Sequence, residues 1–172
     1  MSDQSNAGGY TPMPSAAAPG PAVRGPAPGS VVTAVRLMYA GAALGIVSII
    51  VLLATKATLK QQIADNSPKL TAKEVDTALA IGVAFTVVVS LIVTVLYILL
   101  ALQVGKGKGW ARIVTLVLSG LGVLFGLAGF AQPAPAASRI VGIVGLLVDI
   151  AILVFLLRPD SNAYFRGGAP AA

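Results

Sequence analysis

Neither cysteine nor histidine occurs anywhere in the 172 residues. Without cysteine there is no disulfide framework and no thiol chemistry. Without histidine the commonest general base and metal ligand is missing. Ser-His and Cys-His nucleophilic sites go with it. These two absences exclude thiol oxidoreductases, His-ligated haem proteins and Ser-His proteases. Acidic residues are also scarce, with six Asp and Glu in all, which leaves little for a metal cluster. The expectation is a non-enzymatic protein with no catalytic residue, no cofactor and no metal.

Charge as a whole is low. Only 10% of residues are charged, against 56% hydrophobic, and the mean hydropathy is +0.89. Soluble domains carry about 25% charged residues. A soluble fold of this length leaves roughly a third of its chain surface exposed, which this composition could not populate with polar groups. A lipid bilayer removes the difficulty. The net charge of +6 fits cations flanking apolar segments rather than a nucleic-acid surface, because no basic run is interleaved with aromatics. Nucleic acid is not expected as a partner.

Residues 1–30 form a tail rich in Pro, Gly, Ala and Ser, with prolines at 12, 14, 19, 21, 26 and 28. Such a density opposes helix and sheet, and the tail lacks the apolar bulk to fold, so it is expected to be disordered. Tyr10, Thr11, Pro12, Met13 and Pro14 suit a polyproline II docking segment for a cytoplasmic partner. The first long apolar run begins only near Val31, which argues against a cleaved signal peptide.

Four apolar runs follow, at about 32–55, 78–102, 110–131 and 139–157. Each offers about 20 residues, the length that crosses roughly 30 Å of hydrocarbon as helix. The fold expected is therefore all-α: a polytopic membrane protein with a four-transmembrane-helix bundle over 31–158, followed by a short C-terminal tail at 159–172. In the loop at 56–75, residues 57–64 can prolong the first helix. Asn66, Ser67 and Pro68 should end it, and Thr71 with Glu74 has the spacing of a capping box opening the second span. Pro159 is read as the stop of the fourth span.

Within the spans Asp149 is the only acidic residue, about 13 Å from the Arg158 end of its helix. An intramembrane carboxylate is a functional candidate by default. Ser119 and Thr94 fall at matching depth. Gly82, Thr86, Ser90, Thr94 and Tyr97 make a stripe expected to face the bundle and hydrogen-bond Asp149. Interhelical adhesion, proton or ion coupling, and a charge pair with Arg36 or a partner are its alternative roles. Gly41 and Gly45 in the first span, Gly122 and Gly126 in the third, and Gly142 and Gly145 in the fourth have spacings that let helices approach closely. Internal packing is preferred to homodimerisation. Arg36 and Arg112 are expected to snorkel to headgroups, and Trp110, Tyr97, Tyr164 and Phe165 to form an interfacial belt.

Three short motifs carry a resemblance. The segment 65–76 (DNSPKLTAKEVD), Gly109-Trp110-Ala111-Arg112 and the terminal Ser161-Asn162-Ala163-Tyr164-Phe165 resemble a group of uncharacterised small four-span membrane proteins of actinobacteria with Pro/Gly-rich N-terminal tails. The resemblance covers about residues 31–166. It implies a bacterial plasma membrane and a cytoplasmic tail, and no activity comes with it. Function is then expected to be that of an accessory, scaffold or regulatory subunit of an envelope complex, bound to lipid and to a membrane-protein partner or a second copy. The alternative is a small transporter or channel subunit using Asp149.

With both termini cytoplasmic, seven cations fall on the inner side (Arg24, Arg36, Lys106, Lys108, Arg112, Arg158, Arg166). Five fall on the outer side (Lys56, Lys60, Lys69, Lys73, Arg139). Reporter fusions at residue 10 and within 56–75 test this orientation. A cytoplasmic signal is expected at residue 10 only, and one from the 56–75 loop would reverse it.

Overall fold

The computed structural model describes residues 26–166. The tail assigned to 1–30 lies largely outside the described residues, as do residues 167–172. All elements among the described residues are helical: α1 (Gly29–Ala54), α2 (Lys56–Asn66), α3 (Ala72–Gly105), α4 (Gly109–Gly129), α5 (Ala136–Leu157) and α6 (Pro159–Phe165). α1 begins at Gly29, so the last two tail residues belong to the first helix.

Four of these, α1, α3, α4 and α5, are long and apolar enough to cross a membrane. In each, between 11% and 17% of the apolar window is buried within the protein. The remainder, including Ile81, Phe85, Ile113 and Phe125 at more than 60% exposure, needs an apolar solvent. The chain is a multi-pass membrane protein.

The four spans pack in the cyclic order α1, α3, α4, α5, with α5 closing back on α1. The 34 residues of α3 extend about 50 Å, well beyond a hydrocarbon core of about 30 Å. Its first turns therefore project, and α2 lies beside them. Lys60 pairs with Asp76 at 2.5 Å. The Thr71 hydroxyl accepts from the Glu74 amide while Glu74 accepts from the Thr71 amide at 2.7 Å, the expected reciprocal cap.

The tightly packed core occupies only one half of the bundle. Val31, Ala34, Met38 and Ala42 of α1 meet Tyr97, Leu100, Ala101 and Val104 of α3, Ala111 of α4, and Ile152 and Leu156 of α5. The spacing 31-34-38-42 keeps one face of α1 on this core. The same half is closed from below by α6. Proline at the first position of a helix loses nothing, because that amide has no intrahelical acceptor. So Pro159 ends α5 and at once starts α6, a consequence that reading it only as a stop misses.

Buried Ser161 of α6 donates to the Phe155 carbonyl at 2.8 Å and shares a hydrogen bond with Ser30 of α1 at 2.9 Å. Arg112 of α4, expected to snorkel, is engaged by the protein itself. It donates to the Leu156 carbonyl at 3.1 Å and to Asn162, and lies over the Phe165 ring at 5.3 Å. One of its acceptors is a carbonyl that the end of α5 leaves without an intrahelical partner. Tyr164 covers Gly107 in the α3–α4 turn. There a φ of +71° requires glycine, and an added Cβ would sit 3.0 Å from the ring. Tyr164 and Phe165 are thus packed against the core. Trp110 is exposed as expected.

Arg112→Leu should lower stability in detergent by about 1.5–3 kcal/mol, since it removes charged hydrogen bonds to two acceptors. Arg36→Leu, on the exposed surface, should stay within about 0.5 kcal/mol. Denaturation of the two purified variants compares them, and equal losses would show that Arg112 is not part of the clamp.

Candidate functional site

Asp149 on α5 is met across the bundle by α3. The Tyr97 hydroxyl donates to Asp149 Oδ1 and is within 3.2 Å of the Ser119 hydroxyl of α4. Tyr97 is 6% exposed and Ser119 fully buried. Three helices are therefore tied by one network. The phenol reaches the acid because it is long enough to cross the bundle, and because α1 carries Gly41 opposite it. A Cβ at Gly41 would lie 3.4 Å from two ring carbons. Tyr97, read both as the last member of the stripe and as part of an aromatic belt, is the stripe residue that donates to the intramembrane acid, as the stripe reading expected. Its place three residues after Thr94 in the stripe was the available signal.

The rest of the stripe does not converge on Asp149. Thr94 is buried, but its hydroxyl has no hydrogen-bond partner and faces Gly45, where a Cβ would meet it at 2.5 Å. Ser90 is half-buried and away from the network. Thr86 is exposed, and its hydroxyl donates to the Gly82 carbonyl of its own helix at 2.8 Å. Helical geometry accounts for the divergence. Each step of four residues advances about 40° around the axis, so three such steps turn Gly82 roughly 120° away from Thr94. Nor does Asp149 pair with Arg36. Among the described residues Lys60–Asp76 is the one ion pair within salt-bridge distance.

The glycines at 41, 45, 122, 126, 142 and 145 have two roles at once. Some relieve contacts. A Cβ at Gly122 would collide with the Asp149 carboxylate, one at Gly126 would touch Leu146 at 3.4 Å, and one at Gly145 would touch Leu44 at 3.6 Å. Gly142 faces open space. Together all six line a partly open cavity of about 240 Å³ between α1, α4 and α5, with Tyr97 and Asp149 in its wall. Glycine spacing indicated close helix approach. It did not reveal that the missing side chains also leave room.

Chemically the arrangement holds a carboxyl by neutral donors beside an apolar space. No group of three or more His, Cys, Asp or Glu residues suited to a metal occurs among the described residues.

Gly122→Ala should destabilise the bundle by about 1–3 kcal/mol, because the carboxyl must leave its donors. Gly142→Ala should be neutral or stabilising by up to about 1 kcal/mol, since it adds helix propensity in open space. Unfolding of both variants in detergent checks the contrast, and equal effects would contradict the placement of Asp149.

Comparison with protein-family models, curated proteins and solved structures finds no match.

Proposed function

We propose that this protein is a non-enzymatic accessory, scaffold or regulatory subunit of a bacterial envelope complex, seated in the plasma membrane with both termini cytoplasmic. The observation that carries the reading is the Tyr97–Asp149–Ser119 network. It uses the intramembrane acid to join α3, α4 and α5. Thr86 and Ser90, which a polar path through the bundle would need, lie outside the network. A bundle held together in this way is suited to present its outer faces to another membrane protein, and the Pro-rich N-terminal segment to a cytoplasmic partner.

Support for the orientation comes from the position of the chain ends. The start of α1, the α3–α4 turn and α6 meet at one end of the bundle, through Ser30–Ser161 and Tyr164–Gly105. That end carries the larger share of Lys and Arg. The second reading, a small transporter or channel subunit, is favoured by one observation, the cavity beside Asp149.

Affinity purification from native membranes in mild detergent, with mass and partner identity read together, tests the proposal. A larger complex with stoichiometric partners is expected, and Asp149→Asn should keep it, because a neutral amide still holds hydrogen bonds across the bundle. Recovery of the chain alone as monomer or homodimer overturns the accessory reading in favour of the second.

A further inference from the structure

The cavity beside Asp149 presents an uneven set of groups to any occupant. Its wall is glycine backbone and the side chains of Leu44, Val141, Leu146 and Val148. The Ser48 hydroxyl is engaged by the Leu44 carbonyl at 2.9 Å. The Tyr97 hydroxyl is engaged by Asp149 and Ser119. Asp149 is the one charged side chain in the lining, and no Lys or Arg among the described residues is within ion-pair distance of it. A carboxylate in a low-dielectric setting without a counter-ion is costly. An occupant that supplies positive charge on an apolar body answers both the acid and the walls.

Size narrows the class. A cavity of about 150 Å³ lined by apolar side chains accommodates benzene, so about 240 Å³ accommodates one ring with a small ammonium group. The Tyr97 ring in the lining adds an aromatic surface of the kind that favours alkylated ammonium ions. The cavity is partly open, so entry does not require the packed half of the bundle to separate.

We infer that this cavity is a binding site for a small organic cation, its ammonium group against Asp149 and its apolar body among the glycines of α1, α4 and α5. The inference is independent of the accessory-subunit reading, since it concerns the isolated chain and no partner.

Isothermal titration of the purified protein in detergent with benzyltrimethylammonium provides the test, with neopentylbenzene as the neutral analogue of the same shape. Saturable binding of the cation is expected, with the neutral analogue weaker by about tenfold or more. Asp149→Asn should weaken cation binding by a similar factor. Gly142→Leu fills the cavity from a position where a Cβ meets nothing within 4 Å. It should abolish saturable binding without altering mass or lowering the unfolding temperature, which also separates the site from partition into micelles. Should Asp149→Asn fail to fold, the neutral analogue and Gly142→Leu still decide. Equal binding of cation and neutral analogue, undiminished binding by Gly142→Leu, or no saturable binding to the unmodified protein would each overturn the inference.

Discussion

A carboxyl group surrounded by hydrocarbon must find its donors within the protein, and the arrangement of this bundle follows from how Asp149 finds them. The hydrocarbon core of a bilayer offers no water to hydrogen-bond, and lipid tails donate nothing. The Tyr97 hydroxyl of α3 and the Ser119 hydroxyl of α4 supply what is needed. Each requires space at a particular place. Gly41 admits the phenol ring and Gly122 admits the carboxyl. The polar pair therefore fixes which faces of α1, α3, α4 and α5 turn inward. In lipid, where apolar side chains gain nothing by leaving the solvent for each other, such contacts and close packing are what separate one bundle arrangement from another.

The two halves of the bundle differ in character as a result. Toward α6, bulky residues such as Met38, Ile152 and Leu156 are fully buried, and Arg112, Ser30, Ser161 and Asn162 satisfy the helix ends. Toward α2, glycines replace those side chains and a cavity opens. The packed half and the roomier half are thus separated along the helix axes.

Much of the architecture was legible in the residues themselves. The four spans appear within a few residues of their expected bounds, because uninterrupted apolar length is a one-dimensional property that a bilayer reads directly. The Thr71–Glu74 cap and the break at 66–68 were legible for a similar reason, being local. The stripe from Gly82 to Tyr97 was read less well. Its spacing is compatible with one face only over a turn or two, and the choice of Tyr97 over Thr94 as donor depends on side-chain length and on Gly41 of another helix. The protein contacts of Arg112 were not legible because its acceptors, Leu156 and Asn162, are more than forty residues away.

What the sequence determined alone is therefore the set of local and length-dependent properties: no thiol or imidazole chemistry, four membrane-spanning helices, one intramembrane acid, and cations in the loops or within the first turns of the apolar runs. What only the tertiary structure decided is which of these groups meet. The cyclic order of the helices, which member of the 82–97 stripe reaches Asp149, α6 as the closure of one end, and the glycines as walls of a cavity all depend on the relative rotation and spacing of separate helices. No residue pattern within a single helix contains that information, because it resides in contacts between positions far apart in the chain.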